Sequence, residues 1–144
     1  MKFTLSQSLQ RLHRLGRARR RLLMRAAATL TWASAAVALM PFRQAVAYGS
    51  VKLGRHSGEA SEADYVWAVE RAAERMPWRT LCFEKGIAVQ RMLRKAGIDA
   101  ILHYGARHEP GTGKLQAHVW VTVAGQAAIG GEDAIGYNEI AAFP

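Results

Sequence analysis

The sequence predicts an α+β fold in which a helix carrying the only cysteine packs on a small antiparallel sheet, behind a basic helical N-terminal arm. Three observations predict it. Ser61-Glu62-Ala63-Asp64 is a capping-box pattern ahead of an apolar helical stripe that Pro77 stops. A second helix-period run carries Cys82 in its first turn and ends before Gly97. Finally, Gln116-Ala117-His118-Val119-Trp120-Val121-Thr122-Val123 alternates strictly between apolar and other residues, the period of a half-buried strand.

Charge divides the 144 residues into two physically different parts. Residues 1–58 hold 11 Lys/Arg and no acid, whereas residues 59–144 hold 9 Lys/Arg against 11 Asp/Glu. The first part is expected to be an arm and linker, the second the folded domain. Half of all residues are hydrophobic, enough for a core. One cysteine makes no internal disulfide, so an oxidising compartment is not required and a cytoplasmic address is the default.

Within the arm, residues 9–26 place Leu12, Leu15, Leu22 and Leu23 among arginines at helical spacing, with Gly16 as the weak point. The apolar run from Ala26 to Met40 follows and Pro41 ends it; about 15 residues fall short of a comfortable span of about 20. Three readings compete. The first is a helix that packs on the domain or on a partner, its arginines solvated or near lipid headgroups, which makes membrane association an option. A secretory signal is the second, because Ala45-Val46-Ala47 resembles a cleavage site and Arg19-Arg20 a twin-arginine motif. The long basic stretch ahead of the run, and Arg43 behind it, argue against that. The third, nucleic-acid binding, lacks interleaved aromatics and any recognisable module. Turn-rich residues 51–60 then form the linker.

In the domain, Tyr65, Val66, Val69, Ala72, Ala73 and Met76 form the buried stripe of the first helix, and Trp67 packs beside it. Thr80 is the expected N-cap of the second helix, which places Cys82 at the second helical position. Leu81, Ile87, Ala88, Met92 and Leu93 give its buried face; Arg91, Arg94 and Lys95 suit its C-terminal end, and Gly97 closes it. Gly86 inside this helix costs about 1 kcal/mol relative to Ala, which suits a close helix-sheet contact. Residues 98–104 read as a strand, 106–114 as a loop, 116–123 as the next strand, 124–126 as a hairpin turn and 127–131 as the returning strand.

A thiol works chemically as thiolate, and the free N–H groups at a helix start favour an anion. Cys82 is therefore the candidate nucleophile, although a lone cysteine is by default just a small buried hydrophobe. A base must lie within hydrogen-bond reach of it, with a third group to fix the base's tautomer. Of the histidines, His56 falls in the linker, His108 in a loop and His103 in the first strand. His118, mid-strand beside Trp120 and on a face the cysteine helix can cover, is preferred. The third group depends on hairpin register. A three-residue turn sets His118 opposite Glu132; a two-residue turn sets it opposite Gly131, with Asp133 as diagonal neighbour. No Cys/His spacing suits zinc, and there is no Walker or G-x-G-x-x-G loop, so neither a metal nor a cofactor is expected.

The run from Met76 to Phe83, the helix end Met92-Leu93-Arg94-Lys95-Ala96-Gly97-Ile98, Tyr104-Gly105-Ala106, Ala117-His118-Val119-Trp120-Val121 and Ile129-Gly130-Gly131-Glu132 together resemble the lasso-peptide biosynthesis leader peptidases. These are cysteine proteases of transglutaminase-like, papain-related fold. The likeness covers roughly residues 61–143 and, more loosely, Leu39-Met40-Pro41-Phe42-Arg43 in the arm. It implies a cytosolic peptidase that removes the leader of a ribosomally made precursor peptide, so that an ATP-dependent cyclase can close the lasso ring. It also implies a separate leader-binding protein, since a domain of that kind does not fit ahead of residue 61. Cys82 is then the nucleophile and His118 the base. The position where the family carries its acid is Gly130 here, so Glu132 or Asp133 substitutes or the site works as a dyad. Val119 and Thr122 also depart from the common residues. Acyl transfer to an amine, and a non-enzymatic module tethered to membrane or nucleic acid by the arm, are the rival readings.

Overall fold

The computed structural model describes residues 16–144. Its elements are α1 (Arg17–Leu39), α2 (Phe42–Gly49), α3 (Glu62–Ala73), α4 (Cys82–Lys95), β1 (Ala100–His108), β2 (Leu115–Val123), β3 (Gln126–Ile129), a 3-10 turn (Glu132–Ala134) and β4 (Asn138–Phe143). The strands form one antiparallel sheet in the order β3-β2-β1-β4. The α+β architecture expected from the sequence is present, with helices packed on a small antiparallel sheet.

The basic segment and the apolar run are joined in α1, a single helix of 23 residues. Gly16, expected to weaken a helix interior, stands instead at its N-cap, where a missing Cβ costs little. The part of the expected helix before Gly16 lies outside the described residues. Leu22, Leu23, Ala26, Leu30, Ala33 and Ala36 recur every three or four residues and are buried in the same core as Tyr65, Val69, Ile87 and Leu93. Each buried leucine contributes about 1.5–3 kcal/mol, so α1 is held by packing rather than by its caps. This is the first of the three arm readings, and the core therefore runs across the boundary drawn at residue 58. The helix is long and apolar enough by composition to cross a membrane, with a mean hydropathy of 1.5 over its most apolar 18 residues. In this fold 33% of that window is buried against the protein itself. Ala45 and Val46 of the A-x-A sequence are buried within α2, not displayed in an extended cleavage site.

The capping box predicted for α3 is complete: the Asp64 amide donates to Ser61 Oγ, and the Ser61 amide donates to Asp64 Oδ2 at 3.0 Å. The Asp64 carboxyl is held below the usual range, first by its hydrogen bonds from Ser61 and then by Arg19, whose guanidinium lies 3.7 Å away. Arg19 also stacks on Trp67 at 5.0 Å, which ties α1 to α3 a second time.

Helix α4 is the centre of the domain. Residues Gly86, Ile87, Ala88, Val89, Gln90, Met92 and Leu93 are all buried. A Cβ on Gly86 would lie 2.7 Å from Val119 Cγ1 and 3.6 Å from Leu102 Cδ1, so the glycine permits the close helix-sheet approach anticipated there. Buried Gln90 donates from Nε2 to the carbonyl of Phe143 at 2.6 Å, pinning the end of β4 to the helix. The linker crosses the C-terminal end of α4: the Gly54 amide donates to Arg94 O at 2.8 Å, and Arg94 Nε donates to Val51 O at 2.7 Å.

Two features of the sheet differ from expectation. β1 extends to His108, which leaves only residues 109–114 as the loop. β4 was not anticipated, because Asn138-Glu139-Ile140-Ala141-Ala142-Phe143 has little alternation, and as an edge strand it buries only part of one face.

Candidate active site

Cys82 is the first residue of α4, one position earlier than expected. Leu81, not Thr80, is the N-cap; its backbone is extended (φ −101°, ψ −179°) and its amide donates to Glu84 Oε2 at 3.1 Å. The reason is the acid at the third helical position. Glu84 reaches back to satisfy the amide before the helix, so the start is defined by the carboxylate half of a capping box rather than by a hydroxyl cap. Cys82 is a half-buried free thiol.

His118 is 7% exposed and lies in β2 opposite Gly105. It alternates with Val119 and Val121, the residues that α4 covers, so it does not project beneath the cysteine helix as expected. It meets Cys82 instead in an open cleft of about 590 Å³ that both side chains line. β3 pairs only with Val121, Thr122 and Val123, so among the described residues the His118 half of β2 has no strand on that side. Residues 130–137 supply the remaining wall there, with Glu132, Asp133, Ile135 and Tyr137; Arg79, Lys85 and Arg107 bring positive charge. A hollow of similar size, about 620 Å³, lies between α1 and α3 near Arg19 and Arg25, but among the described residues it is lined by no cysteine, serine or histidine.

The partner of His118 is a backbone carbonyl. His118 Nε2 lies 2.8 Å from Gly130 O. A carbonyl oxygen only accepts, so Nε2 carries the proton and, in the neutral ring, Nδ1 keeps the lone pair. The contact thus selects a tautomer with a basic nitrogen, the task normally given to an acid.

The register explains why Glu132 and Asp133 do not reach this position. The turn has two residues, Ala124 and Gly125, since Val123 pairs with Gln126. A bulge between Val121 and Thr122 then shifts the ladder so that Val121 faces Ile129, and β3 ends there. Gly130 follows with φ 76°, and a Cβ on it would lie 2.8 Å from Val119 O and 3.3 Å from Trp120 Cα. Only glycine fits this left-handed, close-packed position, which turns the carbonyl toward His118. Extrapolating a regular ladder to residues 131–133 therefore fails in both of its versions. Glu132 and Asp133 lie on the 3-10 turn and line the cleft; neither is hydrogen-bonded to His118.

Further side chains frame the cleft or its two candidates. Trp120 stacks between the two histidines of its face, 6.2 Å from His118 and 5.4 Å from His103. His103, weighed as a base, is occupied: Nδ1 lies 2.8 Å from Glu139 Oε2 and Nε2 2.8 Å from Thr122 Oγ1. Tyr137 packs 5.3 Å from the His118 ring, and Arg107 stacks on Tyr137 at 4.4 Å. On the cysteine side Phe42 stacks on Phe83 at 5.5 Å, which joins the arm to the residue after the thiol. The alternation of β2 contains the Trp120 stack in principle, but Tyr137 and Phe42 arrive through tertiary contacts with no local signal. His108 lies at the exposed end of β1, bonded to Gly113 O, and His56 in the linker; neither joins the cleft. Among the described residues there is no cluster of three or more His, Cys, Asp or Glu able to hold a metal ion.

A thiol at a helix start and a histidine held by a backbone carbonyl thus line one cleft on an α+β scaffold. The chain belongs to the transglutaminase-like superfamily, whose family profile matches residues 4–142, nearly the whole sequence. That superfamily is associated with cysteine-dependent enzymes. Comparison with curated proteins and with solved structures gave no match.

Proposed function

We propose that this protein is a cysteine peptidase that removes the leader from a ribosomally made lasso-peptide precursor, with Cys82 as nucleophile and His118 as base. The observation that carries the reading is the shared cleft, in which His118 is held by Gly130 O in the tautomer that leaves Nδ1 basic. Superfamily membership supports cysteine chemistry, and the resemblance in residues 76–83 and 117–132 supports the peptide substrate.

His118 Nδ1 takes the Cys82 proton, and the thiolate attacks the carbonyl at the leader-core junction. The Cys82 amide, at the open end of α4, donates to the oxyanion. The Nδ1–H then protonates the leaving amine, and water hydrolyses the thioester to free the enzyme. The imidazolium is stabilised by the Gly130 carbonyl, so the site works as a dyad completed by backbone, with Glu132 and Asp133 acting only on the charge of the cleft. The precursor, a separate leader-binding protein and an ATP-dependent cyclase are its partners, in the cytoplasm.

The test mixes wild type or Cys82→Ala with a precursor peptide and its leader-binding protein and measures product masses. Hydrolysis adds the mass of water across the two fragments, whereas transfer of the leader acyl group to an added amine gives an amide instead. Cleavage that survives Cys82→Ala overturns the proposal; amide product in place of acid moves it to acyl transfer.

A further inference from the structure

The face of α1 opposite its buried stripe is apolar, uncharged over most of its length, and unpartnered among the described residues. Met24 is 73% exposed, Trp32 66% and Leu39 83%. At 100° per residue these three fall on one side of the helix with Ala28 and Thr31, and the buried residues fall on the other. No charged residue occurs from Ala26 to Met40, so the stripe runs about 22 Å without one. Its one hydroxyl is satisfied within the helix, where Thr31 Oγ1 donates to Ala27 O at 2.8 Å. The stripe is too long for the scattered single hydrophobes of an ordinary exterior.

The same face begins with cations. Arg17, Arg20 and Arg21 lie on its first turns and make no ion pair among the described residues, whereas Arg25, at its margin, and Arg19, on the α3 side of the helix, are paired with Glu59 and Asp64. The unpaired arginines are thus those that point with Met24 and Trp32. We propose that α1 seats the protein on an anionic membrane surface, lying in the interface with Met24, Trp32 and Leu39 in the acyl boundary and Arg17, Arg20 and Arg21 on lipid phosphates. The charge complementarity argues for anionic lipid, and a single convex helix face argues for a fluid surface rather than a shaped partner. Crossing the bilayer is not compatible with this fold, because the opposite stripe is core. The proposal stands independently of the peptidase reading.

The experiment is sedimentation of the full chain with phosphatidylcholine vesicles, with and without phosphatidylglycerol, at low and high salt. Binding is expected only to the anionic vesicles, and salt should weaken it. Met24→Ser and Trp32→Ser should each reduce partitioning about tenfold, and Arg17→Gln, Arg20→Gln and Arg21→Gln about fivefold each. All five sites are outside the core, so the thermal midpoint should stay at the wild-type value, which separates lost binding from lost folding. Four results overturn the proposal: no vesicle binding, binding unchanged in the serine variants, association that resists high salt and an alkaline wash as a spanning helix does, or a dimer in light scattering that Trp32→Ser dissolves.

Discussion

Cys82 and His118 line one cleft, but they are put there by different kinds of structure. The thiol is placed by its own neighbourhood: an extended Leu81, the Glu84 carboxylate on the Leu81 amide, and a helix whose next turns are buried. The imidazole is placed by distant pieces of chain, namely the pairing of β2 with β1, a bulge against β3, and a left-handed Gly130 whose carbonyl fixes the ring. The difference teaches where the site is vulnerable. A locally built nucleophile withstands changes elsewhere, while the base depends on one backbone conformation a dozen residues away.

The contrast can be broken most severely at its centre. Cys82→Ala should lower leader cleavage on the order of 10³-fold or more, with no change in fold by circular dichroism. Next is Gly130→Ala, which forces a Cβ against Val119 O at a positive φ. It should cost about 1–3 kcal/mol in denaturant unfolding. By turning the carbonyl away from His118 it should also lower cleavage on the order of 10-fold at saturating substrate. A variant as active as wild type would remove Gly130 O from the tautomer argument. On the cysteine side, Glu84→Ala opens the Leu81 amide and should cost about 1 kcal/mol, read as a lower thermal midpoint. Glu132→Gln and Asp133→Asn sharpen the comparison by their smallness. With a backbone carbonyl on His118, each should change turnover within about threefold, through screened charge alone. A large loss in either one would restore that carboxylate as the third member of a triad.

The smallest expected effect concerns pH. Hydrogen bonds from Ser61 and the nearby Arg19 hold the Asp64 carboxyl low. A folded-state value below the unfolded one stabilises the fold above the ordinary carboxylate range, and that contribution is lost as pH falls through the lowered value. Asp64→Asn should therefore flatten the acid side of the stability profile while leaving the cleft unchanged. An acid limb identical to wild type would show that the α3 cap is not a titrating contribution.

What could be read locally was read closely. The α3 capping box, the glycine in the cysteine helix, the alternation of β2 and the two-part charge distribution are each written in consecutive residues, because caps and periodicities act over a few positions. Where sequence reasoning slipped, the competing physics was also local but of another kind. A reciprocal carboxylate at Glu84 outweighed the hydroxyl of Thr80, and the low-contrast β4 carried no alternation to detect.

By itself, then, the sequence determined the α+β class, the helix that carries Cys82 in its first turn, the strand that carries His118 and the basic character of the arm. Only the tertiary structure decided that α1 belongs to the core, that His118 lines the cleft of Cys82 from the face of β2 that α4 does not cover, and that Gly130 O, not Glu132 or Asp133, is bonded to the imidazole. The reason is physical. Helix starts and strand periods are set by interactions between near neighbours, whereas a bulge and a left-handed glycine accumulate along the chain and move every later residue out of the register that a regular ladder would give it.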